Sequence, residues 1–300
     1  MIKIPTILKL RSQQIWLLIS QAFSGWQDDY AQSMGAALAY YTMFSIAPLL
    51  LIVISIAGLV FGEDAARGEI AGQLQRLLGD QGAILVQALV QSVNKPSEGV
   101  WTTIVGVVLV LIGATSVFNE LQNALDRIWR VTKRAEIGGF LYALQGRLLS
   151  FGMILGVGFV LMVSLIFSAG LSALGKLWTP IFNDWEIAAH IVNVCMNFIL
   201  ATGMFALIFK IMPRVRIEWS EVWIGAGITA ILFTLGQFLI GLYIGTSGIT
   251  SSFGAAGSLV ALLVWVYYSA QVFLMGAELT KAYSYIFGSR KHDKRKKPLI

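Results

Sequence analysis

Six apolar runs, at 36–61, 100–118, 148–174, 187–211, 222–245 and 256–281, constrain this chain more than anything else in it. Each reaches the ~20 residues a helix needs to cross a hydrocarbon layer ~30 Å thick. A backbone in that layer must satisfy its own hydrogen bonds, so long continuous runs fold as helices. The basic residues then set the orientation. With the N-terminus in the cytoplasm and the runs alternating, the inner pieces hold Lys3, Lys9 and Arg11; Arg127, Arg130, Lys133, Arg134 and Arg147; Lys210, Arg214 and Arg216; and Lys281 with the six bases from Arg290 to Lys297. Only Arg67, Arg76, Lys95 and Lys176 of the 22 basic residues stay outside. The expected fold is all-α: a polytopic membrane protein of six transmembrane helices with short amphipathic surface helices and both termini inside.

An apolar share of 57% against 13% charged residues, with a mean hydropathy of +0.74, lies outside the range of soluble domains. The bilayer makes one bundle of residues 1–300, with an amphipathic cytoplasmic segment at 1–35, an outer amphipathic hairpin at 62–99 and a basic cytoplasmic tail at 285–300. The net charge of +6 resides in the inner loops and tail. Topology and anionic phospholipid at the cytoplasmic face account for it, so nucleic acid is not an expected partner. Cys195, the only cysteine, falls in the fourth run and is expected as a small packed residue with no intrachain disulfide.

Near the N-terminus, Ile15, Leu18, Ile19, Ala22 and Phe23 recur at helical spacing, which predicts an amphipathic helix on the inner membrane surface. Gln21, Trp26, Asp28 and Asp29 follow where a cleaved signal would carry small residues. Pro48 sits near the middle of the first run, where it frees the Phe44 carbonyl and kinks the helix, as a packing device or as a break in a binding site. The second run continues inward as an amphipathic extension through FNELQNALDRIWRV. Small residues at helical spacing, such as Gly152 with Gly156 and Gly225 near Gly227, let helices approach closely, within one chain or in a homo-oligomer.

The last run carries the polar constellation most suited to function. At 100° per residue, Tyr267, Gln271 and Glu278 share one helical stripe. Facing the bundle interior, they could form a polar track or proton site; alternatively Glu278 sits at the inner interface, paired with Lys281 three residues on. Asn193 and Asn197 in the fourth run and Gln237 in the fifth fix helix packing or line a cavity, since an unsatisfied amide in lipid costs several kcal/mol. The uncharged turn at 246–257 is a tight connection or a re-entrant vestibule.

Three stretches, GAALAYYTMFSIAPLLLIVISIAG (35–58), LIGATSVFNELQNALDRIWRV (111–131) and FGAAGSLVALLVWVYYSAQVFLMGAELTKAY (253–283), resemble the YihY/BrkB family of bacterial inner-membrane proteins, and the layout of spans agrees along nearly the whole chain. The resemblance implies a six-helix protein of the bacterial inner membrane. Members of that family have been labelled serum-resistance factor, transporter and, by an old misassignment, ribonuclease BN.

At the inner end of the second run, Asn119, Asn123, Arg127 and Arg130 could receive an anionic headgroup from the cytoplasmic leaflet, although positive-inside bias alone would place such bases there. His190, His292 and Cys195 do not make a zinc site, and no phosphate loop, dinucleotide fingerprint or nucleophile elbow occurs. A ribonuclease needs clustered carboxylates or paired histidines on a wet surface, and the inner face offers neither. The expectation is therefore no catalytic residue, no metal and no cofactor. It is a membrane protein that moves a lipid, an amphiphile or a small anion in envelope maintenance, with Glu278, Gln271, Tyr267, Pro48, Asn197 and Gln237 along its pathway. The alternative is a scaffold that organises envelope proteins without transport.

Overall fold

The computed structural model describes residues 12–62, 116–131, 185–246 and 257–291, with a few single positions between 64 and 87; every regular element among them is a helix. The helices are α1 (Ser12–Asp28), α2 (Ala31–Phe61), α3 (116–128), α4 (Trp185–Ile211), α5 (Trp219–Thr246) and α6 (Gly257–Ile286). Among the described residues, Val194–Ile211, Trp219–Ile240 and Leu259–Ile286 are long and apolar enough to cross a membrane. α2 covers the first run with 31 residues. The third run, nearly all of the second, most of the 62–99 hairpin, the turn after Thr246 and the tail from His292 lie outside the described residues.

α6 is the axis of the described bundle and packs on α1, α2 and α5, while α4 packs chiefly on α5. The core between α4, α5 and α6 is aromatic: Phe205 lies 5.5 Å from Phe233, and Phe209 lies 5.0 Å from Phe273, in tilted or edge-on pairs. α5 and α6 meet through one sequence device used twice. Gly225-Ala226-x-x-Thr229 and Gly276-Ala277-x-x-Thr280 run antiparallel, so that a Cβ on Gly225 would meet the Thr280 side chain and a Cβ on Gly276 would meet Thr229. Each threonine hydroxyl donates to the carbonyl four residues before it, Thr229 to Gly225 at 2.7 Å and Thr280 to Gly276 at 2.8 Å. The two polar groups are thereby buried with their hydrogen bonds made, inside a contact that only glycine permits.

Apolar side chains cover the outside as well. Phe238 is 74% exposed, with Leu235, Leu239 and Leu242 beside it on α5. Water would penalise such a surface, whereas hydrocarbon solvates it. Cys195 belongs to the same kind of surface: it is exposed on α4 and not packed, as are Ile191, Val192 and Val194 beside it.

Two departures from the sequence expectations concern α1 and α2. The apolar stripe of α1 is split: Leu18 and Ala22 bury against Leu279 and Ala282 of α6, leaving Ile15, Ile19 and Phe23 exposed. α1 is therefore docked on the bundle by one edge and offers the other to its surroundings. α2 begins at Ala31, inside the expected 1–35 segment, after a turn in which Tyr30 takes the left-handed conformation at φ 56°. No glycine or proline marks that turn in the sequence. α2 stays helical through Pro48, which is compatible with the kink expected there.

Candidate functional site

The segments expected on the inner side meet at one end of the bundle, and side chains tie them together. Gln122 and Asp126, one turn apart on α3, grip the 212–218 connection: the Gln122 amide donates to the Met212 carbonyl at 3.0 Å, and the Arg214 backbone N–H donates to Asp126 Oδ1 at 2.9 Å. The Arg214 guanidinium completes the clasp, 3.2 Å from Asp126 and 3.1 Å from Gln122 Oε1. Burial pushes the Asp126 carboxyl above its usual range, a shift that the Arg214 backbone bond and charge only partly offset. Arg290, beyond α6, lies over the Trp129 ring at 5.0 Å and donates to the Arg216 carbonyl at 3.1 Å. Lys210, in the last turn of α4, donates to the Ile217 carbonyl and covers the Trp219 ring.

A buried charge cluster lies between α6 and the junction of α1 with α2. Lys281 Nζ donates to Asp29 Oδ2 at 3.0 Å and to Glu278 at 3.1 Å and 3.4 Å. Glu278 is 1% exposed, and Asp29 and Lys281 are buried with it. The i,i+3 spacing on α6 brings Glu278 to Lys281. Asp29 arrives because the Tyr30 turn ends α1 there, with the Asp29 N–H still bonded to the Gly25 carbonyl at 2.9 Å. Gly25 lies directly under the Glu278 carboxylate, which leaves no room for a side chain on α1. With two carboxylates around one ammonium, the cluster has a formal charge of −1, and removing such groups from water costs several kcal/mol per ion.

Of the residues singled out from sequence, Tyr267, Gln271 and Glu278 all face the α1–α2 side of α6. A Cβ on Gly35 would meet both Gln271 and Tyr267. The Gln271 amide donates to the Ala31 carbonyl at 3.3 Å, its Oε1 has no hydrogen-bond partner among the described residues, and Tyr267 remains 37% exposed. Asn197 lies exposed on α4, and Gln237 is half-buried beside Gly236, at the level of Tyr268. The side chain of Pro48 lies outside the described residues. Asn119, Asn123 and Arg127 are exposed on α3 and Arg130 in the turn after it, with the Arg127 guanidinium 5.3 Å above the Tyr30 ring.

Sequence reasoning missed two carboxylates. Asp29 is 252 residues from its lysine, and no spacing rule connects them. Glu221, in the first turn of α5, resembles an ordinary helix-dipole partner but is 2% exposed, and its Oε1 accepts the Ser289 backbone N–H at 2.5 Å. An acidic residue two positions after Trp219, opening an otherwise uncharged run, was the available signal.

Known proteins agree with the membrane architecture. Over 254 residues the chain is 27% identical to a UPF0761 membrane protein of Pseudomonas paraeruginosa, a match that covers 84% of this chain and 59% of that protein. It is 27% identical over 267 residues to a UPF0761 membrane protein of Alcanivorax borkumensis, covering 85% and 57%. A Vibrio vulnificus UPF0761 membrane protein is 26% identical over 267 residues, covering 85% and 77%. The chain thus spans less than two thirds of the Pseudomonas and Alcanivorax proteins. No solved structure matches it. The family described as Virulence factor BrkB matches residues 22–300, and this chain belongs to that family of membrane proteins.

Proposed function

We propose that this protein is a six-span transporter of the bacterial inner membrane, with both termini in the cytoplasm, and that it moves a lipid, an amphiphile or a small anion. The observation that carries the reading is the buried Asp29–Lys281–Glu278 cluster between the central helix and the junction of α1 with α2. Ionisable groups at such a position are costly and are characteristic of substrate or ion pathways. Glu278 is the polar anchor or proton carrier in this reading, with Gln271 and Tyr267 lining the path above it. An anionic headgroup reaching the basic end would compete with the two carboxylates for Lys281. Anionic phospholipid is the natural first contact, through Arg127, Arg130, Asn119 and Asn123. No catalytic step is part of the reading.

The direction of the helices supports six spans. α2 leaves the basic end and α3 runs towards it; α4 runs towards it, α5 away and α6 back. The chain stands at the basic end at Val131 and at the opposite end at Trp185. We assign the missing traverse to the apolar run at 148–174.

The test is flux of labelled phospholipid and small anions in liposomes holding the purified protein. Glu278→Gln, nearly isosteric and still able to accept from Lys281, is expected to abolish flux while insertion is retained. Unchanged flux in that variant removes the mechanism. The i,i+3 pairing of Glu278 with Lys281 also suits a static lock, which is the scaffold reading. Absence of flux for every cargo in the wild-type protein would favour it.

A further inference from the structure

A second polar locus lies on the other face of α6. Glu221 Oε2 and Ser284 Oγ are both buried, and neither has a hydrogen-bond partner among the described residues. They share one neighbourhood: a Cβ on Gly288 would meet both the Glu221 carboxylate, at Oε1 and Cδ, and the Cα of Ser284, so only glycine fits between the two residues. No basic side chain occupies the last turn of α6, where the helix presents its negative end. Two bases of this end of the bundle are engaged elsewhere, Arg290 with the Arg216 carbonyl and the Trp129 ring, and Lys281 with Asp29 and Glu278. The start of α5 and the Ser289 N–H support one carboxylate oxygen. The other oxygen and the Ser284 hydroxyl have no such support among the described residues.

A buried carboxylate oxygen and a serine hydroxyl at the carbonyl end of a helix form a hard-oxygen environment carrying a single negative charge. A divalent ion would demand more carboxylates than this, and no group of three acidic, histidine or cysteine side chains suited to a metal occurs among the described residues. We propose that Glu221 and Ser284 bind one monovalent alkali cation, of which sodium is the natural example, at the junction of α5 and α6. The ion neutralises Glu221 and clamps the start of α5 to the end of α6. Binding is independent of the transport reading, because it is read without flux; if flux is also found, the ion becomes its candidate coupling ion.

The experiment uses the full chain purified in detergent, melted in sodium, potassium or choline chloride at constant ionic strength. An alkali cation is expected to raise the melting midpoint over choline by about 2–4 °C, saturably, as a ligand of the folded state does. Glu221→Gln should lose the shift, Ser284→Ala should weaken it at least threefold in half-saturating concentration, and Glu278→Gln should keep it. Identical midpoints in all three salts would overturn the proposal, as would a shift that survives in Glu221→Gln. Should Glu221→Gln fail to fold, Ser284→Ala decides: an unaltered half-saturating concentration there overturns the site.

Discussion

Lys281 is the residue on which the described charges balance. Replacing it with methionine keeps the length of the side chain but leaves Asp29 and Glu278 buried without their cation. Breaking a buried pair from one side costs about 3–5 kcal/mol. Lys281→Met should therefore melt far below wild type, and adding Glu278→Gln to it should recover part of the loss; thermal melts of the purified variants decide. Asp126 behaves differently, because burial raises its pKa in the fold. A carboxyl with a raised folded pKa favours the folded state more as pH falls from neutral towards the ordinary carboxylate range, since the folded chain takes up the proton first. Wild type should accordingly gain stability relative to Asp126→Asn over that acid window, whereas Asp126→Ala, which loses the acceptor for the Arg214 N–H, should be the weaker of the two at every pH. The Glu278–Lys281 pair was legible from its spacing. Asp29 was not, because contact across 252 residues is a product of the fold.

Among the elements, the contact of α5 with α6 is the most demanding sterically. A leucine at Gly225 must displace Thr280, and overpacking of this kind typically costs about 1–3 kcal/mol. Gly225→Leu is expected to lower the melting midpoint, and Gly225→Ala should be tolerated better when Thr280 is replaced by alanine than when it is kept. Equal effects of Gly225→Ala in both backgrounds would show that the two positions do not meet as described. The repeated glycine–alanine–x–x–threonine pattern was available in the sequence, but only the antiparallel contact gives it meaning. Helix bounds were the easiest part to read: α4, α5 and α6 begin and end within a few residues of the apolar runs, because hydrocarbon imposes the length. The start of α2 was harder, since Tyr30 turns the chain without the glycine or asparagine that usually marks a left-handed residue.

At the scale of the whole molecule, the separate inner segments read from the distribution of lysine and arginine are found clasped at one end of the bundle, by Asp126 with Arg214, Asp29 with Lys281 and Arg290 with Trp129. The sequence could place them on one side but could not pair them, because positive-inside bias specifies a face and no partner. Asp64, just past α2, belongs to the opposite end, and Lys291 to the clasped end. In a Cys195→Ser background, single cysteines at 64 and at 291 report the two faces directly. A membrane-impermeant maleimide applied to intact spheroplasts should label Asp64→Cys and should reach Lys291→Cys only after the membrane is opened. Labelling of both sites from the outside, or of neither, would contradict a chain that spans the membrane with its basic end in the cytoplasm.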